Sequence, residues 1–169
     1  MHKKNRPKYC WDTSVFLAWI LEEDGQPLDD IGLVADEIDG DRADLIVSAT
    51  VYSEILEAKH SKRKIKQLRQ YLKRSNVISV DMTVGIAEKA SDIRGKALKA
   101  KEKRKLKSPD AQVAATAIVY GADVLHSLDA HLLNLDGSAA VDGLRITRPR
   151  LLTGQKALPG FISTQDAGD

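Results

Sequence analysis

At 169 residues, 43% hydrophobic and 30% charged, the chain is long enough to bury one real core and short for two. A single cysteine, Cys10, excludes a disulfide framework. Residues 1–8 are basic but lack the apolar stretch of a signal peptide, and no apolar run approaches the roughly 20 residues of a membrane span. The expectation is a soluble cytoplasmic protein with no membrane partner: a basic tail at 1–8, one domain at 9–150, and a tail at 151–169 that is disordered or partner-binding.

Net charge is only +2, from 26 basic and 24 acidic side chains, but the two signs are segregated. Residues 22–44 are strongly acidic. Residues 59–74 and 94–107 are dense in Lys and Arg, with Glu102 their only acid. Such blocks serve either as solvated helix faces or as electrostatic footprints for a polyanion.

In chain order, residues 9–11 read as a first strand and 13–22 as a helix. Residues 27–39 form a second helix by the spacing of Ile31, Val34, Ala35 and Ile38, with Gly40 ending it. Residues 45–48 are a buried strand, and Thr50 is placed to cap a helix reaching residue 58. A very basic helix follows at 61–74, with Ile65, Leu68 and Leu72 as its apolar stripe, and then a strand at 77–80. A long helix at 83–99 carries Ile86, Ala90, Ile93 and Ala97, before a charged loop at 101–107. Ser108-Pro109-Asp110 is a helix start: Ser caps free amides, Pro tolerates the first position, and an early Asp complements the dipole. Gly121 ends that helix, a strand lies within 123–127, and 144–147 supplies an edge strand. Strands alternating with helices predict an α/β fold on a mainly parallel sheet.

Four acids sit where such folds place chemistry, at or near the carboxyl ends of strands: Asp12, Glu54, Asp110 and Asp129. Each has a structural reading too. Asp12 is a good helix cap, Asp110 complements a dipole and Asp129 suits a turn. Glu54 lies between Val51, Ile55 and Ala58 on a helix whose apolar side faces the sheet, where a carboxylate needs a partner. If the four converge, two charges about 5 Å apart repel by on the order of 3 kcal/mol at an effective dielectric near 20. Raised pKa values, a basic side chain or a divalent ion are the remedies, and an all-oxygen set suits Mg²⁺ or Mn²⁺. The four histidines lack zinc spacing, and no Walker loop or Ser-His-Asp order is present. Ser14 and Ser127 are candidates to orient ligands or waters from behind the acids, Ser14 equally as a helix cap.

Four fragments carry a family resemblance: Asp12-Thr13-Ser14 after the first strand, Ser53-Glu54-Ile55, Asp110-Ala111-Gln112-Val113-Ala114-Ala115, and the run from Gly121 to Asp129. In their order and spacing the chain resembles the PIN-domain family, most of all the VapC ribonuclease toxins of type II toxin–antitoxin systems. Ser127 stands where Thr is often found, which keeps the hydroxyl. The carboxyl end is longer than in many members. The resemblance implies a three-layer α/β/α domain and Mg²⁺- or Mn²⁺-dependent endoribonuclease activity leaving 5′-phosphate and 3′-hydroxyl ends. It further implies metal ligation by Asp12, Glu54, Asp110 and Asp129, a small cognate antitoxin and a homodimer. The alternatives are a PIN-domain nuclease of RNA processing or DNA metabolism and a non-catalytic RNA-binding domain.

Overall fold

The computed structural model describes residues 6–58, 61–99 and 106–152. Five strands, β1 (Lys8–Trp11), β2 (Asp44–Ser48), β3 (Val77–Val80), β4 (Val124–His126) and β5 (Ile146–Thr147), form one sheet in the order β3-β2-β1-β4-β5. Every pairing is parallel. Among the described residues, seven α-helices accompany them: α1 (Thr13–Leu21), α2 (Leu28–Asp39), α3 (Ala49–Glu57), α4 (Lys62–Tyr71), α5 (Val84–Lys99), α6 (Ser108–Val119) and α7 (Ala130–Leu133). Tyr9, Cys10 and Trp11 are all buried, as are Leu45 to Ser48 and the whole of β4. Consecutive buried residues on a strand point to both faces of the sheet. Helices therefore cover both faces, and the three-layer expectation holds. No described helix is long and apolar enough to cross a membrane.

The chain runs outward from β1 through β2 to β3, then returns to the other side of β1 for β4 and β5. The strand order thus reverses between β1 and β4, and in open α/β sheets the crevice outside the carboxyl ends at such a point is where ligands bind. The helical stripes read from the sequence are the buried ones: Ile31, Val34, Ala35 and Ile38 on α2, and Ile86, Ala90, Ile93 and Ala97 on α5. On α4, Tyr71 joins Leu68 as the buried pair, while Ile65 and Leu72 are partly covered. Trp11 packs edge-on against Phe16 and Trp19, anchoring α1 to the central strand.

Several boundaries differ from expectation for local reasons. Ser48, not Thr50, caps α3, accepting the Thr50 N–H at 3.2 Å. Lys107 occupies the cap position of α6 without a side-chain bond, so Ser108 is already inside the helix. Beyond α2 the left-handed residue is Asp41 (φ 55°), whereas Gly40 has φ −79°. A Cβ at Gly40 would meet only the mobile end of the exposed Arg42 side chain at under 3 Å. The one-turn α7 and a 3-10 turn at Ala139–Val141 were not anticipated. Of the sequence-defined tails, Lys8 begins β1, and Leu151 and Leu152 pack on the core, Leu152 donating its N–H to the Tyr9 hydroxyl at 3.2 Å. Residues 1–5, 153–169 and most of the 101–107 stretch lie outside the described residues.

Buried Asn76 joins α2 to the entry of β2, its amide donating to the Ile38 carbonyl at 2.6 Å and the Ala43 carbonyl at 2.9 Å. Asn76→Ala strands the Ala43 carbonyl and removes one of two donors from the Ile38 carbonyl, which keeps the Asp41 N–H at 3.1 Å, so a loss of about 1–2 kcal/mol is expected. Urea unfolding should show a lower midpoint at unchanged slope; an unaltered midpoint would mean that the Ala43 carbonyl finds another donor.

Candidate active site

The crevice is built outward from Asp12. It follows β1 directly, its N–H donating to the His126 carbonyl at 3.0 Å, and its extended backbone makes it the N-cap of α1. Oδ2 of its carboxylate accepts from the Ser14 N–H at 3.4 Å, the Ser14 hydroxyl at 2.8 Å and the Ser127 hydroxyl at 3.0 Å. The capping role and a role in the crevice thus fall to the same 5%-exposed side chain. Both hydroxyls also accept: Ser14 Oγ takes the Leu128 N–H at 2.9 Å and Ser127 Oγ takes the Asp129 N–H at 3.0 Å. The turn after β4 is thereby tied to the end of β1.

Asp129 caps α7, with Oδ1 accepting the His131 N–H at 2.6 Å. Glu54 stands on the second turn of α3 and accepts a hydrogen bond from the Thr13 hydroxyl through Oε2. That supplies the partner a half-buried carboxylate requires. α3 is fixed against α6 by Thr50 Oγ1 donating to Gln112 Oε1 at 2.9 Å and by Thr116 Oγ1 donating to Ser48 Oγ at 3.3 Å.

Asp110, in the first turn of α6, completes the group. Its carboxyl is pushed up to about 6, first by burial, then by the negative charges of Asp12 and Asp129, with Glu54 adding to them and Lys107 opposing. Its Oδ2 is buried with no hydrogen-bond partner. Asp12, Asp129 and Glu54 therefore lie near enough to Asp110 for their charges to disfavour its ionised form. Among the described residues, no three His, Cys, Asp or Glu side chains close on a single point as a finished metal cage. The chemistry of the four carboxylates nonetheless suits a hard divalent cation: all oxygen, with one buried carboxylate oxygen unpaired and one carboxyl destabilised in its charged form.

Sequence reasoning missed Thr13 as the partner of Glu54 and the Thr50–Gln112 link. Thr13 adjoins Asp12 in the motif, but a hydroxyl at a helix start reads first as local capping. Of the histidines, His126 is fully buried, its ring 5.1 Å from that of Tyr9, and its pKa is lowered to about 3 by burial and then by Arg150. It is a neutral core residue beneath the crevice.

The basic segments divide. On α4 and just beyond, Lys62, Arg63, Lys66, Arg69 and Lys73 are exposed, while Arg74 pairs with Asp39 and lies over the Tyr71 ring. On α5, Arg94 donates to the Leu106 carbonyl at 3.2 Å, and Lys96 pairs with Asp92 at 2.9 Å and Asp142 at 3.5 Å. Those two α5 cations are engaged within the domain, Lys96 through exposed ion pairs. Arg6 with Asp41 and Arg42 with Glu37 use part of the acidic block in the same way.

A parallel α/β sheet with an acidic crevice at its switch point defines the class of the molecule. More specifically, the chain belongs to the PIN domain family, whose profile matches residues 9–138. The fold is shared with VapBC2 from Rickettsia felis, solved bound to a DNA fragment from its promoter (TM-score 0.58, 15% identity, 82% of this chain and 96% of that one). It is also shared with DNA-bound VapBC from Salmonella typhimurium (0.57, 19%, 83% and 96%). A third similar structure is the sarcin-ricin-loop-cleaving toxin VapC20 of Mycobacterium tuberculosis (0.52, 16%, 73% and 92%). No curated protein sequence matches the chain.

Proposed function

We propose that the chain is a metal-dependent endoribonuclease, the toxin of a type II (VapBC) pair, hydrolysing RNA phosphodiester bonds at Asp12, Glu54, Asp110 and Asp129. The observation that carries this reading is Asp110: a carboxyl raised to about 6 by burial and by three other acids, with an unpaired buried oxygen, has the chemistry a divalent cation would satisfy. Family membership and the VapBC structures that share the fold support the assignment, and the antitoxin and homodimer expectations rest on the same likeness.

Asp12, Glu54, Asp110 and Asp129 would hold Mg²⁺ or Mn²⁺. A divalent ion held there would supply Lewis-acid polarisation of the phosphodiester and would lower the pKa of a water. The protein's own part is positioning. Ser14 and Ser127 hold the Asp12 carboxylate in one orientation, and Thr13 does the same for Glu54. Exposed cations on α4 attract the RNA backbone without reading its bases.

The test is incubation of the purified protein with a mixed RNA pool in EDTA, Mg²⁺ or Mn²⁺, with new 5′ ends mapped. Cuts that require the metal support the reading; intact RNA under all three conditions, with RNA binding confirmed, removes it in favour of a binding domain. Ser127→Ala is expected to lower the cleavage rate about ten- to a hundredfold, since it frees both Asp12 and the turn bearing Asp129. A Ser127→Thr control should restore the rate; equal rates in all three proteins would leave the hydroxyl without an orienting role.

A further inference from the structure

A second recess opens on the carboxyl edge of the sheet, at the ends of β2 and β3. It holds about 350 Å³ between α3 and α4, at the small end of the ~300–1,000 Å³ range of ligand sites. Val47 and Leu72 give it apolar walls and Tyr52 an aromatic one. Arg69 and Lys73 line it from the α4 side, and Asp81 at the end of β3 adds one carboxylate. The Tyr52 hydroxyl accepts from Arg69 Nε at 3.2 Å, which ties the ring to the neighbouring cation.

These groups together select among ligands. Two exposed cations favour a polyanion, but a phosphate alone gains nothing from apolar walls and is repelled by Asp81. A nucleobase uses all of them: its faces stack on an aromatic ring, its amino edge donates to a carboxylate, and its phosphates meet Arg and Lys. The location agrees. Tyr52 and Glu54 are two positions apart on α3, roughly 200° around a helix with about 3.6 residues per turn, so α3 separates the recess from the four acids. A chain laid across the N-terminal end of α3 reaches both, over about one helix diameter of ~10–12 Å.

We propose that this recess is a nucleobase subsite of the cleavage centre. It takes one unpaired nucleotide of the RNA, a few positions from the cut, stacked on Tyr52, held at its phosphate by Arg69 and Lys73, and read at its amino edge by Asp81. The subsite rests on the ribonuclease reading, and two measurements separate their fates.

The first is the cleavage map of a short randomised single-stranded RNA pool in Mn²⁺. The expected map shows, at one position flanking the cut, a preference for bases bearing an amino group, and Asp81→Ala flattens that position alone. The second is binding of the same pool, fluorescently labelled, to the Asp12→Asn protein in EDTA. Adding Tyr52→Leu or Lys73→Ser should weaken binding about tenfold or more. Lys73 is exposed, so its replacement keeps the fold if Tyr52→Leu does not. Cutting by the unmodified protein with map and binding unmoved by these substitutions overturns the subsite and leaves the nuclease. If no RNA is cut, binding decides: tenfold weakening keeps the recess as an RNA site without the nuclease, and unchanged binding overturns both.

Discussion

Asp12→Asn is expected to slow metal-dependent RNA cleavage by on the order of a thousandfold while the protein stays folded. Asparagine keeps the size of aspartate and is as good an N-cap, so it can still accept from the Ser14 N–H and start α1. It also keeps a carbonyl oxygen for the two hydroxyls that now converge on Oδ2. What disappears is the negative charge, on which a divalent cation depends. The substitution therefore separates the capping role from the chemical one at a single residue. Rates on a mapped RNA site and thermal unfolding by circular dichroism check both halves. Retained cleavage would take Asp12 out of the ligand set, and an unfolded variant would make it a structural acid. Asp12 is also the largest charge acting on Asp110 after burial, so the variant should move the Asp110 carboxyl back down from about 6.

The parts of the molecule legible in the sequence are those set by local pattern. β1, β2 and β4 are built on the apolar runs 9–11, 45–47 and 124–125 because both of their faces are covered, and α2 and α5 carry four-residue stripes at helical spacing. Asp12, Asp110 and Asp129 are also legible as candidates, since each follows a strand or opens a helix, and strand ends are where a parallel sheet gathers its polar groups. What escaped depends on contacts between distant segments. Thr13 meets Glu54 across 41 positions, and Thr50 meets Gln112 across 62. Nothing local shows that Arg94 serves the Leu106 carbonyl or that Lys96, though exposed, pairs with Asp142. The single turn of α7 is too short for any apolar period to reveal it.

Asp110→Asn is expected to abolish cleavage to a similar extent and, more directly than Asp12→Asn, to alter the pH dependence of folding in EDTA. In the fold the Asp110 carboxyl lies at about 6, above the ~3.9 of an unfolded aspartate, so the native state holds an extra proton between those values. Stability from this group is present at low pH and is lost as pH rises through about 6, where the buried carboxylate must charge beside its neighbours. His126 acts in the opposite sense. Its pKa of about 3 in the fold means that stability is lost as pH falls below the ~6.5 of an unfolded histidine. The two slopes oppose each other between about pH 4 and 6, which hides both in the wild-type profile. The Asp110→Asn protein lacks one of them, so its stability should climb with pH across that window more steeply than the wild type and exceed it by a few degrees in melting temperature above about pH 7. Mg²⁺ or Mn²⁺ should then close the gap by stabilising the wild type through binding to the native state, with little effect on the variant. Melting curves from pH 4 to 8, with EDTA and with metal, read the difference directly. A constant offset across pH would place the Asp110 carboxyl at an ordinary value. A metal response equal in both proteins would place the ion elsewhere, because a ligand that carries no charge at neutral pH cannot supply the same attraction as one forced to ionise among three other acids.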